Sequence, residues 1–279
     1  MISLDRAYVE KVVRAALDED IGSGDITTLL TIPSDTAAVA DIVAKSRGVV
    51  AGIDVARTAF AMLDAKIAFE PDKIDGSPVE PGDKIANVSG SARAILAAER
   101  VALNFLQRMS GIATLTRKYV DLVSHTGAKI ADTRKTTPGF RRLEKYAVTV
   151  GGGVNHRFNL SDGVLIKDNH IAAAGSITAA VTAAKKAAPH LLKIECEVST
   201  LNQLDEAIAA GADVILLDNM PLDLLRQAVE LGAGRVITEA SGGVNESNVA
   251  AIAETGVDII SVGALTHSAP ALDISLQFG

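Results

Sequence analysis

One segment of the chain concentrates basic side chains and glycines. It runs from residue 131 to residue 170 and includes consecutive glycines at positions 151, 152 and 153. Its basic residues are Arg134, Lys135, Arg141, Arg142, Lys145, His156, Arg157, Lys167 and His170. The whole chain has a formal net charge of −7, and a positive cluster on an acidic protein indicates a local anion site rather than a general polyanion surface. Glycines let a backbone approach a ligand closely, so the segment predicts an anion site; a basic, solvated loop is the alternative.

Other polar residues follow apolar runs that have the pattern of strands. In β/α folds the chemistry lies where the strands end, so these residues are expected to face one mouth of the sheet. They lie at positions 132–135, 167–170, 218–219, 241–243 and 263, with His267 shortly after. Glu195 and Glu197 lie within a strand-like run, and they share a face because strand side chains alternate.

These residue types suit different parts of a ligand. The turn Ser241-Gly242-Gly243 predicts a phosphate cradle of backbone N–H groups. Glu197 and Asp218 predict a site for a diol or a hard ion such as Mg²⁺, whereas zinc is disfavoured because no histidine or cysteine pair has zinc-ligand spacing. Asp218 and Ser241 have an alternative role as helix caps, and Glu195 as a structural partner of Glu197. Arginine side chains suit carboxylates, so a ligand with phosphates, a diol and a dicarboxylate would use all of these groups.

The elements that must position these residues alternate regularly after residue 128, which predicts a parallel sheet. Strands are predicted near residues 129–132, 163–168, 192–198, 213–219, 235–240 and 258–265, and helices are predicted to begin near Thr137, Ser176, Thr200, Leu222 and Val244. Six units indicate an incomplete, open parallel β/α barrel or a barrel of fewer than eight strands. A doubly wound open sheet is the alternative, which the missing G-x-G-x-x-G motif disfavours.

The first part of the chain has a different pattern. Residues 3–19 predict an amphipathic helix, and the following short strands, turns and helix indicate an N-terminal α/β sandwich domain. Residues 92–124 predict two helices broken near Gly111. We therefore divide the chain into a domain of residues 1–110, joined by the tail 268–279, and a barrel domain of residues 111–267.

The composition limits the class of protein. Hydrophobic residues make up 48% of the chain and aromatic residues only 3%, so the core consists of small aliphatic side chains, as buried parallel strands require. The single cysteine, Cys196, excludes an intrachain disulfide and fits a reducing compartment. No signal peptide or long apolar run is recognisable, and the acidic balance disfavours nucleic-acid binding. These features predict a cytoplasmic protein without a membrane span.

Several longer motifs occur in a fixed order. They are DTRKTTPG, GGGVNHR, LIKDNH, LLDN, EASGG and VGALTHS. In order and spacing they closely resemble the motifs of the quinolinate phosphoribosyltransferase family (nicotinate-nucleotide pyrophosphorylase, carboxylating). The resemblance covers nearly the whole chain, including LDEDIGSGDITT, GVVAG and AERVALNFLQRMSGIAT, and no motif position departs from the family pattern.

The resemblance implies a reaction of quinolinate with phosphoribosyl pyrophosphate. The products would be nicotinate mononucleotide, pyrophosphate and carbon dioxide, in de novo NAD synthesis. It also implies Mg²⁺ as cofactor and a homodimer, with larger assemblies in some members. Each site would be completed by the neighbouring subunit. No side-chain nucleophile is expected, because the quaternised pyridine ring itself accepts the electrons released by decarboxylation.

Motif by motif, the resemblance also implies site residues. The two carboxylates of quinolinate are expected to meet Arg134, His156, Arg157 and Lys167, with Arg100 supplied by the neighbouring subunit. Lys135 is expected near the pyrophosphate, and Thr133 completes the substrate-binding set. Glu197 and Asp218 are expected to hold the ribose hydroxyls and Mg²⁺. The 5-phosphate is expected to be held by Ser241, Gly242, Gly243 and Gly263. Lys135, Lys167, Glu197 and Asp218 are the expected catalytic residues, and Lys45 and His267 are weaker candidates for phosphate contacts.

Three alternative functions remain at this point. The first is a repurposed protein of the same fold that binds a phosphorylated metabolite without this turnover. The second is a phosphoribosyltransferase acting on nicotinate, a monocarboxylate that would need fewer cations. The third is a purely structural barrel, which leaves the clustered charges unexplained.

Overall fold

The computed structural model describes residues 4–279. The helices are α1 (Arg6–Ile21), α2 (Ile26–Thr31), α3 (Ile53–Leu63), α4 (Ala92–Val123), α5 (Arg141–Val150), α6 (Asp168–Ala174), α7 (Ile177–Ala187), α8 (Leu201–Ala210), α9 (Leu222–Gly232), α10 (Val249–Ala253) and α11 (Ala264–His267). The strands are β1 (Ala37–Ala44), β2 (Gly48–Val49), β3 (Ala68–Pro71), β4 (Pro78–Val79), β5 (Lys84–Ser91), β6 (Lys129–Ala131), β7 (Val164–Ile166), β8 (Ile194–Val198), β9 (Val214–Asp218), β10 (Ile237–Ser241), β11 (Ile259–Ser261) and β12 (Ile274–Phe278).

The chain forms two compact units. The first contains the described residues up to Arg117, together with Thr137–Gly152 and Ser268–Gly279. The second contains Lys118–Thr136 and Gly153–His267. The division at residues 110 and 111 that the sequence suggests stays a prediction.

The first unit is built on a four-stranded antiparallel sheet with the strand order β12-β1-β5-β3. Its central strand β1 buries alternate residues, Ala40, Ile42 and Ala44, as a strand with one face on a core requires. The C-terminal tail supplies the edge strand β12, in which Ile274 pairs with Ala44. A two-stranded β2-β4 sheet and the helices α1, α2, α3 and α5, with most of α4, complete the unit.

Two helices of the first unit differ from their predicted bounds. Helix α1 begins at Arg6 and ends at Ile21, because Asp5 caps it by accepting the N–H of Ala7 at 2.7 Å. The predicted start at Ser3 lies outside the described residues. The predicted break near Gly111 is wrong, since α4 is continuous through this position. A Cβ atom at Gly111 would lie 3.0 Å from the Cα of Ala271, so this glycine allows close packing within the unit.

The second unit contains a six-stranded parallel sheet with the order β6-β11-β10-β9-β8-β7. Strands β7 to β11 follow one another in chain order, and the first strand, β6, lies beyond β11. A doubly wound sheet would instead reverse its order near the middle. Val154 continues the sheet on the other side of β6 through a parallel bridge with Ala131. The prediction of an open parallel β/α barrel joined to an N-terminal α/β domain is therefore confirmed.

The register of this sheet separates apolar from polar side chains. Ile166, Cys196 and Ile215 are partners across β7, β8 and β9, and all three are buried. The opposite face has a row formed by Glu197, Leu216 and Glu239, since Leu216 pairs with both glutamates. In the next row towards the strand ends, Asp218 pairs with Ser241. Alternation along each strand therefore places the polar residues of several strands on one face.

The predicted starts of α7, α8 and α9 are confirmed within one residue. The Ser176 hydroxyl accepts the N–H of Ala179 at 3.0 Å, and Thr200 caps α8 in the same way. The predicted starts at Thr137 and Val244 are wrong, because α5 begins at Arg141 and α10 at Val249. Thr137 instead donates its N–H and its hydroxyl to the Glu144 carboxylate, which holds it in the preceding turn.

Helix α6 was not predicted. It begins directly after Lys167, whose N–H is accepted by Nδ1 of His170 at 2.9 Å. His170 therefore caps this short helix. None of the helices formed by residues 4–279 has the length and apolar character that crossing a membrane requires.

Candidate active site

A cavity of about 690 Å³ opens in the second unit, where the parallel strands end. Residues of six chain segments reach it, which agrees with the rule that β/α folds place chemistry at the carboxyl ends of strands. Its lining includes Thr133, Arg134, Lys135, His156, Arg157, Leu165, Lys167, Leu216, Asp218, Asn219, Glu239, Ser241, Gly242, Gly243, Ser261, Gly263 and His267. The cavity is therefore the candidate active site.

Two guanidinium groups form part of its wall. Arg157 donates through Nη1 to the carbonyl oxygen of Gly163 at 3.1 Å, which orients the side chain. Burial, followed by the charge of Arg134, lowers the pKa of Arg157. The two cations therefore lie close enough to repel each other, and an anion bound at this wall would relieve that repulsion.

The loop before Arg157 is held by a buried carboxylate. Asp132 follows β6 and is fully buried. Its carboxylate accepts hydrogen bonds from the backbone N–H of His156 at 2.9 Å and from the side-chain amide of Asn155 at 2.6 Å. The backbone N–H of Asp132 donates to the carbonyl oxygen of Val154. A carboxylate that accepts two hydrogen bonds can remain buried without a large penalty. The loop is thereby fixed beside the end of β6.

The carboxylates that the sequence suggested for a diol or an ion lie on adjacent strands and on the same face. Glu197 forms an ion pair with Lys167. Asp218 accepts the side-chain amide of Asn219 at 2.9 Å and remains partly accessible. Two carboxylates with hard oxygen atoms fit Mg²⁺, which proteins usually hold through one or two carboxylates together with substrate phosphates.

The glycine turn has the backbone shape of a cradle. Gly242 and Gly243 have φ angles of 94° and 60°, which favour glycine. A Cβ atom at Gly242 would lie 2.6 Å from Nδ2 of Asn219. Asn219 itself has a φ angle of 52°, and its N–H donates to the carbonyl oxygen of Ser241 at 2.9 Å. Only a glycine at position 242 lets the two loops approach this closely.

Lys135 and His267 lie on either side of a third glycine. A Cβ atom at Gly263 would be 3.1 Å from Cδ of Lys135 and 3.2 Å from Nε2 of His267. The backbone carbonyl of Lys135 accepts the hydroxyl of Thr266 at 2.8 Å, which ties the loop after β6 to α11. The absence of a side chain at Gly263 leaves room for two basic groups at one end of the cavity.

Two further glutamates lie within the sheet beside His156. Nε2 of His156 is 3.1 Å from Oε2 of Glu195 and 3.6 Å from Oε1 of Glu239. Burial, and then the charge of Glu195, raise the pKa of Glu239 to about 7. Desolvation favours the neutral form of an acid, so Glu239 keeps its proton to a higher pH than an exposed glutamate does.

The structure brings most of the predicted residues together. Thr133, Arg134, Lys135, His156, Arg157, Lys167, Asp218, Ser241, Gly242, Gly243, Gly263 and His267 all line the cavity. Glu197 is not part of the lining, but its partner Lys167 is. Arg100 and Lys45 are exposed residues of the first unit. Their roles, like those of the lining residues, stay predictions.

The basic segment itself divides between the two units. Arg141, Arg142 and Lys145 belong to the first unit. The guanidinium of Arg142 lies over the ring of Tyr8 at 5.1 Å, and Lys145 is buried. The anion site predicted from the whole segment therefore includes only basic residues of the second unit.

Sequence reasoning missed two polar residues of the cavity. Glu239 and Ser261 both line it. Glu239 lies two residues before Ser241 and therefore on the same strand face, which is a signal that alternation alone could have provided. The left-handed backbone of Asn219 had only a weak signal in the sequence, namely that asparagine is enriched at positive φ.

Cys196 has no part in this site. Its side chain is buried on the opposite face of the sheet. Burial, and then the charge of Glu197, raise the pKa of its thiol to about 11. A neutral, buried thiol is a poor nucleophile, so the chemistry depends on the charged groups of the cavity.

Comparison with known proteins agrees with this site. The N-terminal and C-terminal domain models of the quinolinate phosphoribosyl transferase family match residues 25–110 and 112–277. A probable nicotinate-nucleotide pyrophosphorylase [carboxylating] of Bacillus subtilis is 48% identical over 98% of this chain and 94% of that relative. The corresponding Mycobacterium leprae protein is 47% identical over 95% of each chain.

Solved structures show the same likeness in three dimensions. NadC from Streptococcus pyogenes superposes with a TM-score of 0.96 and 43% identity over the full length of both chains. A nicotinate-nucleotide pyrophosphorylase from Pyrococcus furiosus, at 17% identity and a TM-score of 0.72, shares the fold. Since both family models match and the relatives cover nearly the whole sequence, this chain belongs to the quinolinate phosphoribosyltransferase family.

Proposed function

We propose that this protein transfers the phosphoribosyl group of phosphoribosyl pyrophosphate to quinolinate and releases carbon dioxide. The products are nicotinate mononucleotide and pyrophosphate. The observation that supports this most strongly is the composition of one cavity, where a wall of cations and a glycine turn occur beside Asp218, and Glu197 pairs with the lining residue Lys167. A dicarboxylate, a ribose diol and a phosphate need these three kinds of group.

Quinolinate binds at the cationic wall in this proposal. Arg134 and Arg157 take its carboxylates, because a guanidinium donates two parallel hydrogen bonds to one carboxylate. Lys167 adds a third positive charge, and its ion pair with Glu197 fixes the direction of its side chain. His156 lines the cavity beside these cations. A nicotinate site would need only one carboxylate partner, so the number of cations supports quinolinate as the substrate.

The phosphoribosyl group binds at the other side of the cavity. Ser241, Gly242 and Gly243 bind the 5-phosphate, since their turn offers backbone N–H groups and has no side chain in the way. Glu197 and Asp218 accept hydrogen bonds from the ribose hydroxyls. Lys135, which passes Gly263, neutralises the departing pyrophosphate.

Mg²⁺ is the cofactor in this proposal, and Glu197 and Asp218 would hold it. When bound, it would neutralise charge on the pyrophosphate leaving group. The protein side chains orient the ring nitrogen of quinolinate towards the anomeric carbon of the ribose, and this positioning supplies much of the rate. Bond formation makes the ring nitrogen positive, which stabilises the electron pair left on the adjacent ring carbon when its carboxylate leaves as carbon dioxide. That carbon then takes up a proton from solvent to give nicotinate mononucleotide.

A homodimer would complete the site. Arg100 lies on the exposed side of α4, where its charge is available to a second copy of the chain. We propose that it reaches the quinolinate carboxylates of the neighbouring subunit. A shared site of this kind would make the isolated subunit inactive.

A turnover assay tests the proposed function. The protein is incubated with quinolinate, phosphoribosyl pyrophosphate and MgCl₂, and nicotinate mononucleotide is measured by chromatography. Formation of the nucleotide supports the proposal, whereas binding of both compounds without product would support a repurposed relative. A parallel incubation with nicotinate must give far less product, since that monocarboxylate leaves part of the cationic wall unused. Product formation that survives removal of Mg²⁺ with EDTA would contradict the proposed cofactor.

A further inference from the structure

Three ionisable side chains meet at the wall of the cavity, and the mechanism above leaves two of them without a role. They are His156, Glu195 and Glu239. The exposed fractions of their side chains are 13%, 10% and 4%. One carboxylate oxygen of each glutamate is buried without a hydrogen-bond partner among the described residues. Buried polar groups in this arrangement are costly, so the cluster needs a physical explanation.

The hydrogen bonds of His156 determine where its ring proton lies. Nδ1 accepts the backbone N–H of Arg157 at 2.7 Å, so Nδ1 carries no hydrogen. The ring proton is therefore on Nε2, and the ring is neutral. Nε2 faces the two glutamates, at 3.1 Å from Glu195 and 3.6 Å from Glu239. The single ring N–H is directed towards these two glutamates.

This arrangement fixes the backbone of Arg157. Its N–H is bound to the His156 ring, the ring is held by the glutamates, and the N–H of His156 is held by Asp132. The peptide that carries the Arg157 side chain is therefore fixed from two directions. A guanidinium that binds a planar carboxylate needs such a fixed base, because small displacements weaken paired hydrogen bonds strongly.

The two glutamates approach the ring from different strands. Oε2 of Glu195 lies 3.1 Å from Nε2 and is the acceptor for the ring N–H. Glu239 is the more deeply buried of the two, and its Oε1 lies 3.6 Å from the same nitrogen. Ser261 lies next to Glu239 on the neighbouring strand.

The same residue types could instead hold a metal ion, since their ligand atoms lie within 4.8 Å of one another. A histidine that binds a metal through one ring nitrogen normally donates an N–H from the other nitrogen. Here the other nitrogen, Nδ1, accepts an N–H instead. A metal on Nε2 would require breaking the bond to Arg157, so the geometry favours hydrogen bonding over metal ligation.

We propose that Glu195 and Glu239 are positioning residues for quinolinate binding, which hold His156 as the Nε2–H tautomer so that its ring supports the backbone of Arg157. The inference rests on the proposed function. It refines the expected role of His156, which supports the quinolinate site without donating its ring proton to the substrate. Glu195 accepts the hydrogen bond from Nε2–H, and Glu239 confines the ring from strand β10.

The tautomer can be measured in the free protein. Ring nitrogens of ¹⁵N-histidine resonate in widely separated ranges with and without a hydrogen, and the chain has only five histidines. The His156→Asn variant assigns the resonance, and if it fails to fold, replacing the other histidines one at a time does so. A bare Nδ1 and a protonated Nε2 are expected near pH 7.5. A protonated Nδ1 in the free protein would overturn the proposal. Protonation of Nδ1 on addition of Zn²⁺ would also overturn it, because Nε2 would then bind the metal.

Kinetics test the consequence for binding. Glu195→Leu removes the acceptor and should raise KM for quinolinate by roughly tenfold to a hundredfold, while KM for phosphoribosyl pyrophosphate changes less than about twofold. Glu195→Gln keeps an acceptor oxygen, so its KM for quinolinate should lie close to the wild-type value. Glu254→Gln is the matched control, because Glu254 faces His125 at 3.2 Å on the surface, and it should match the wild type.

The outcomes separate this inference from the proposed function. Equal rises of both KM values for Glu195→Leu, or no change in either, would overturn the positioning role. A wild-type protein that forms no nicotinate mononucleotide would instead overturn the proposed function, and the tautomer measurement would still stand.

Discussion

The buried carboxyl group of Glu239 makes the stability of this protein depend on pH. Its pKa is raised from 4.5 to about 7, because burial and then the charge of Glu195 disfavour ionisation. In the unfolded chain the same group titrates near its ordinary value. Between these two pKa values the folded protein binds a proton that the unfolded chain has lost. The contribution to stability is therefore fully present below about pH 4.5, and it is lost as the pH rises through about 7.

The Glu239→Gln variant isolates this contribution, since the amide resembles the neutral acid but does not titrate. One pKa unit corresponds to about 1.4 kcal/mol. The free energy of unfolding of the wild type, relative to that of the variant, should therefore fall by about 2–3 kcal/mol between pH 5 and pH 8. Other titrating groups are common to both proteins and cancel in this comparison.

Urea unfolding followed by circular dichroism at pH 5, 6, 7 and 8 measures the difference. Glu254→Gln serves as the control, because its exposed carboxylate should leave the wild-type pH dependence unchanged. The reasoning is refuted if the free energies of the wild type and Glu239→Gln change in parallel over this range. It is also refuted if the wild type gains stability relative to the variant as the pH rises.

Three other variants test the site more locally. Arg157→Ala should weaken quinolinate binding by about 1.5–3 kcal/mol while phosphoribosyl pyrophosphate binds as before, because one charge-assisted interaction is lost; calorimetric titrations of both ligands check this, and equal losses would contradict the assignment. Gly242→Ala should raise KM for phosphoribosyl pyrophosphate at least about tenfold, because the new Cβ would lie 2.6 Å from the Asn219 amide. Gly76→Ala is the control and should retain the wild-type KM, because Gly76 has a similar φ angle of 91° but a Cβ there would meet nothing within 4 Å. Mixed, refolded subunits carrying Arg100→Ala and Arg157→Ala should recover about a quarter of the wild-type activity if each site is shared between subunits, and no recovery on mixing would remove the shared site.

The alternation of strands and helices was readable in the sequence because the buried strands are short, apolar and separated by clear helix caps. All six predicted strands form one parallel sheet, and Ser176 and Thr200 cap helices as their positions suggested. The candidate site followed from the same pattern. Side chains at successive strand ends meet at one mouth, whatever their distance along the chain.

Features that depend on contacts between distant segments were not predictable. Gly111 resembles a helix break in the sequence, and its actual role is visible only beside the Pro270–Ala271 backbone. The raised pKa of Glu239 depends on its burial and on the charge of Glu195, which comes from another strand of the sheet. The sequence showed that these residues are polar, but not that they share one buried space. The cytoplasmic location suggested by the composition stays a prediction.

The central claim is that a single cavity couples phosphoribosyl transfer to decarboxylation. The most direct measurement uses quinolinate labelled with ¹⁴C in the carboxylate adjacent to the ring nitrogen and compares released ¹⁴CO₂ with released pyrophosphate. The account predicts equal amounts of the two products, and no ¹⁴CO₂ when phosphoribosyl pyrophosphate is omitted. Pyrophosphate release without ¹⁴CO₂, or decarboxylation without the sugar phosphate, would contradict it.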